Sequence, residues 1–79
     1  MEIQFSKSAL KALLRSDKRE LIREKIEELA TDPGGSAANV KKLKGRPESR
    51  LRVQDWRVIF RIEDEVLWID DIGPRGSIY

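Results

Sequence analysis

Apolar residues recur with a period of two along "RLRVQDWRVIFRI", where Leu51, Val53, Trp56, Val58, Phe60 and Ile62 are separated largely by polar or basic residues. That period is the mark of a β-strand with one buried face. The break at Gln54-Asp55 predicts strands over 49–53 and 56–62, and a further strand over 66–72 follows "EDE". Both links are short enough for hairpins, so the three strands are expected as antiparallel neighbours. In the last one Val66, Trp68 and Ile72 alternate with Leu67, Ile69 and Asp71, which predicts a central or covered strand. Trp56 and Trp68 fall in the apolar register and are assigned to the core.

Before residue 40 the period changes. "MEIQF" alternates Ile3 and Phe5 with polar residues, a short first strand, and Ser6 suits the N-cap of a helix. "SALKALLRS" then puts Ala9, Leu10, Leu13 and Leu14 at helical spacing. Ser16-Asp17 ends that helix, and "KRELIREKIEELAT" begins another with Leu21, Ile22, Ile26, Leu29 and Ala30 on one stripe. Asp32-Pro33-Gly34-Gly35 stops it. "GGSAANVKKLKGRPES" reads as a connection anchored by Val40 and Leu43. The order β-α-α-β-β-β predicts an α+β fold, a two-helix hairpin packed on one face of an antiparallel sheet.

Seventy-nine residues suffice for a single domain spanning 1–79. A chain of that size hides only about 60% of its unfolded surface, so one thin core is expected. With no cysteine and no histidine, the sequence lacks disulfides, thiolate metal sites, the commonest metal ligand and the commonest general base. No apolar run approaches the ~20 residues of a membrane span, and no signal-peptide pattern opens the chain. A cytoplasmic location, no cofactor and no membrane partner are expected.

Charge changes the picture through its placement. Residues 1–40 balance, whereas residues 41–61 carry Lys41, Lys42, Lys44, Arg46, Arg50, Arg52, Arg57 and Arg61 against Glu48 and Asp55, a net +6. Residues 62–72 reverse the sign with Glu63, Asp64, Glu65, Asp70 and Asp71. If the apolar side of the sheet meets the helices, the other side gathers Arg50, Arg52, Arg57 and Arg61. A charged strand face is most often simply solvated. Here arginine outnumbers lysine on adjoining strands, and guanidinium forks match phosphate oxygens in pairs. The pattern suits a nucleic acid, another polyanion or an acidic protein.

"LKGRPESRLRVQDWRVIFRI", followed after one hairpin by "IDDIGPRGSIY", resembles the RelE/ParE superfamily of toxins from bacterial type II toxin–antitoxin systems. The resemblance covers the whole chain and implies two helices on a curved antiparallel sheet. RelE-like members are ribosome-dependent endoribonucleases that cut messenger RNA and so inhibit translation, and the resemblance implies a metal-independent enzyme of that kind. By motif position, Arg50 and Arg52 match the basic pair of the R-x-R strand, and Arg57 the arginine after the aromatic residue. Arg75 and Tyr79 match the arginine and tyrosine of the closing segment. These five form the implied catalytic set. Lys41, Lys42, Lys44, Arg46 and Arg61 extend it as RNA- or ribosome-binding positions, although Arg61 has no clear family counterpart and suits a structural or partner role.

The chain departs from its relatives at three places. Pro74 stands where many have a histidine, Gln54 where a glycine is common, and Trp56 where tyrosine is usual. With Tyr79 last, a terminal carboxylate is expected beside the proposed site. The family implies a cognate antitoxin as partner, messenger RNA and the ribosome as target, and no homo-oligomer without the antitoxin. Two alternatives stay open: a ParE-like inhibitor of DNA gyrase, and a degenerate binding module that catalyses nothing.

Overall fold

The computed structural model describes residues 1–76. Strand β1 (Glu2–Phe5) leads into α1 (Lys7–Arg15) and α2 (Arg19–Thr31), then a 3₁₀ segment over Pro33–Asn39. Strands β2 (Val40–Lys42), β3 (Ser49–Val53), β4 (Trp56–Glu63) and β5 (Val66–Pro74) follow, and the sheet order is β1-β5-β4-β3-β2. The expected α+β architecture is present, with β3, β4 and β5 as antiparallel neighbours and β5 inside the sheet.

Two details differ from the sequence reading. The connection after the 3₁₀ segment contains a short edge strand, β2, antiparallel to β3. The sheet is mixed, because β1 pairs in parallel with β5. A parallel pair requires a long crossover, and here the helical hairpin and most of the sheet lie between the two strands.

Local chemistry explains the element ends. Ser6 accepts a hydrogen bond from the Ala9 N–H at 3.0 Å and so caps α1. Ser16 is buried in the turn between the helices, where its hydroxyl accepts from the Lys18 N–H at 3.0 Å. The β4–β5 turn places Asp64 and Glu65 at φ 52° and 62°, the left-handed pair of a two-residue hairpin loop.

The helices cover one face of the sheet. Ala9 and Leu13 of α1 and Ile22, Ile26, Leu29 and Ala30 of α2 meet Leu51, Val53, Val58, Phe60, Leu67, Ile69 and Ile72, all buried. Burying each large aliphatic side chain stabilises the fold by about 1.5–3 kcal/mol. Leu10 and Leu14 do not join them. They remain 43% and 54% exposed, because α1 presents only a narrow stripe to the sheet.

Trp68 is also displaced from its expected place. The register of β5 against β4 slips between the pairs Ile59–Asp71 and Phe60–Ile69, so Asp70 is an extra residue, a β-bulge. The bulge inverts the alternation on its N-terminal side. Leu67 and Ile69 therefore enter the core, and Trp68 lies on the opposite face beside Arg61. Trp56 keeps its expected position and packs against the core.

Candidate nucleic-acid interface

The face of the sheet away from the helices carries two adjacent cross-strand rows. Lys41, Arg50, Ile59 and Asp71 form one, and Arg52, Arg57 and Gly73 the other. Strand alternation makes this inevitable once Leu51, Val53, Val58 and Ile72 are committed to the core. Gly73 offers no side chain beside Arg57, which leaves that guanidinium side open.

The β3–β4 turn brings a further arginine to the same end. The Arg75 N–H donates to the carbonyl of Asp55 at 2.6 Å, tying the end of β5 to the turn. Arg57 makes two long contacts to its own hairpin, from Nη1 to the carbonyls of Trp56 at 3.4 Å and Gln54 at 3.5 Å. Burial lowers the Arg57 pKa from its ordinary value, and the charges of Arg50, Arg52 and Arg75 lower it further, against a weaker opposing pull from Asp55. Four arginines thus share one electrostatic neighbourhood, and an anion bound among them would relieve their mutual repulsion.

The other candidate residues separate. Lys41 joins the arginine face, whereas Lys42 falls in the row of Ser49 and Phe60, on the helix side. Lys44 and Arg46 sit in the β2–β3 loop, with Arg46 Nε 3.2 Å from Glu48. Arg61 stands on the far side of the bulge. Its Nε donates to Asp70 at 3.0 Å, its Nη1 pairs with Glu63, and its guanidinium lies 5.1 Å from the centre of the Trp68 ring. Those carboxylates, Glu63 foremost, raise its pKa above the ordinary arginine value. Tyr79 lies outside the described residues.

Sequence reasoning missed Asp55 and Asp71. Asp55 joins the site through the β3–β4 turn, to which Arg75 is hydrogen-bonded, and Asp71 through the row of Arg50. Hairpin register was the signal available for both. Among the described residues no three carboxylates gather in the manner of a metal ligand set, and no helix is long and apolar enough to cross a membrane.

Residues 3–79 match the family of ParE toxins of type II toxin–antitoxin systems, parDE. The chain belongs to that family. It is a toxin of the RelE/ParE superfamily, and solved structures agree. The RelE–RelB complex of the archaeon Pyrococcus horikoshii is similar, with 28% identity, a TM-score of 0.79 and 96% of each chain covered. The RelB–RelE complex of Methanococcus jannaschii has 25% identity and a TM-score of 0.76, with 95% of this chain and 93% of that chain covered. The E. coli RelBE complex, at 24% identity and a TM-score of 0.76, shares the fold over 96% of this toxin and 98% of that chain. No curated protein sequence matches significantly.

Proposed function

We propose that this toxin is a ribosome-dependent endoribonuclease that cuts messenger RNA and is held in check by a cognate antitoxin. One observation carries the reading: Arg50, Arg52, Arg57 and Arg75 share one electrostatic neighbourhood on the sheet face that the helices leave open. The reaction such a site suits is transesterification within the RNA. The 2′-oxygen attacks the adjacent phosphorus as its proton leaves, the bond to the 5′-oxygen breaks, and that oxygen takes up a proton. The products are a cyclic phosphate and a 5′-hydroxyl.

Negative charge accumulates on the phosphoryl oxygens at the transition state. Arg57 and Arg75 are assigned to stabilise it, and losing one such donor typically costs about 3–4 kcal/mol. Arg50 and Arg52 hold the flanking phosphates, with Lys41 extending the track, and Tyr79 stacks on a base or orients the attacking group. Arginine is a poor base at neutral pH. Substrate positioning by the ribosome therefore supplies much of the rate, and free RNA is cut slowly or not at all.

The antitoxin follows from the relatives, whose structures are RelE–RelB complexes. A second reading, inhibition of DNA gyrase, is favoured by the match to ParE toxins. Primer extension on messenger RNA after brief induction separates the two. Codon-phased cuts support the nuclease, and they should persist on purified ribosomes after transition metals are chelated with magnesium kept. DNA damage without cuts supports gyrase inhibition. Neither outcome would leave a degenerate binding module.

A further inference from the structure

The two rows of the arginine face hold a single carboxylate, Asp71, half-buried on β5. Its neighbours in sequence and space are spoken for: Asp70 and Glu63 hold Arg61, and Glu48 holds Arg46. Asp71 is in no ion pair among the described residues. It shares a row with Lys41 and Arg50, but Ile59 stands between Arg50 and Asp71 and keeps them apart. Ile59 is only 1% exposed although it lies on the side away from the helices, so this spacer is itself fixed. The carboxylate is fixed as well. Its Oδ1 accepts from the Ile72 N–H at 2.9 Å, which leaves Oδ2 to receive a proton.

Asp71 also stands in a fixed relation to Arg57. Arg57 pairs with Gly73 and Ile59 with Asp71, so Asp71 and Arg57 are diagonal neighbours on one face, about 7–8 Å apart at ordinary sheet spacing. Gly73 puts no side chain between them, and Asp71 is not among the charges that act on Arg57. The two groups flank a gap and do not close it. A carboxylate on a face that holds phosphates works against holding them, so its presence there calls for another use.

Resting on the nuclease reading, we infer that Asp71 is the general base of the cleavage. The chain has no histidine, and its arginines are poor bases. With the phosphate held by Arg57 and Arg75, the 2′-hydroxyl of the preceding nucleotide turns toward Asp71. Oδ2 takes the hydroxyl proton as the 2′-oxygen bonds to phosphorus. The bond from phosphorus to the 5′-oxygen breaks, and that oxygen takes a proton from water. The hydroxide left behind removes the proton from Asp71, which restores the carboxylate. A positioned base of this kind typically contributes about 10²–10⁴-fold.

The test is single-turnover cleavage of messenger RNA on programmed ribosomes, with toxin concentration varied to separate the maximal rate from half-saturation. Asp71→Asn keeps the shape and the bond from the Ile72 N–H and removes the base. At saturation it should cut about 100–1,000-fold more slowly. Its half-saturation should fall at the same toxin concentration or a lower one, because a negative charge has left the phosphate site. Asp71→Ser keeps an acceptor for the Ile72 N–H and should show the same loss; it decides the matter if melts show the asparagine variant unfolded. Asp64→Asn removes the same charge from the β4–β5 turn and should cut as wild type does. A folded Asp71→Asn or Asp71→Ser protein that cuts at the wild-type rate overturns the proposal. So does a loss confined to half-saturation, which assigns Asp71 to holding the site together. A wild-type toxin that makes no cuts on programmed ribosomes overturns the nuclease reading itself, and the inference falls with it.

Discussion

Arg52 and Arg57 stand directly opposite each other on β3 and β4, arginine against arginine across one hairpin. Like charges so placed disfavour the sheet. The fold tolerates the pair, along with Arg50 and Arg75 nearby, and this is the arrangement expected where stability yields to the binding of an anion.

Replacing Arg57 should therefore separate activity from stability. Arg57→Ala is expected to lower cleavage on ribosomes by about 10²–10³-fold and to abolish growth inhibition. Its melting temperature should equal or exceed that of wild type, because the repulsion from Arg50, Arg52 and Arg75 disappears. Heparin, a soluble polyanion, should stabilise wild type more than the variant. A folded Arg57→Ala protein with full toxicity would remove Arg57 from the site.

The strands around that pair were legible in the sequence because one face is buried. Leu51, Val53, Val58 and Ile72 set the period, and the opposite face followed as arginine. Trp68 was not legible. The only mark of the bulge at Asp70 in "WIDDIG" is the Asp70-Asp71 pair, which sets Ile69 and Ile72 three apart, and a one-residue slip there moves every side chain beyond it to the other face. Leu10 and Leu14 misled for another reason. Helical spacing shows that a stripe exists, and packing against the sheet decides how wide a stripe is buried. The parallel pairing of β1 with β5 was equally hidden, since strand neighbours distant in sequence carry no turn signal.

Ser6 joins three elements. Its hydroxyl caps α1 at the Ala9 N–H, and it donates to the carbonyl of Asp70 at 2.8 Å, the bulged residue that the β4–β5 register leaves without a cross-strand partner. Ser6→Ala loses both bonds and should destabilise the toxin by about 2 kcal/mol, read as a lower urea midpoint at unchanged slope. Ser6→Thr retains the hydroxyl and should lose much less. Equal midpoints for Ser6→Ala and wild type would show that the bulge needs no such partner.

Gln54 sits at φ 53° in the β3–β4 turn. A side chain there crowds its own backbone, and glycine does not. Gln54→Gly should stabilise the hairpin by about 1 kcal/mol. The turn also holds Asp55, whose carbonyl accepts from Arg75, so the same variant tests how tightly that arginine is placed. Denaturant unfolding gives the first quantity and cleavage on ribosomes the second. A loss of stability would mean that Gln54 contributes through its side chain.

Arg61 is the basic residue whose surroundings argue most strongly against a role in gripping RNA. Asp70 and Glu63 both hold its guanidinium, and its cationic face rests on Trp68. Binding a phosphate there would require parting it from two carboxylates, which would then repel the same phosphate. Its contacts instead clamp the two strands at the bulge, fixing the place where the arginine face ends. Arg61→Ala should lower the melting temperature while cutting proceeds close to the wild-type rate. Arg61→Lys should fall between the two in stability, because an ammonium keeps the charge and loses the planar fork that engages both carboxylates. Raised salt should narrow the differences in melting temperature, since Glu63 and the outer part of Arg61 are exposed to solvent. If Arg61→Ala melts like wild type and fails to cut, the residue belongs with Arg50 and Arg57, and the RNA track runs past the bulge to the far end of the sheet.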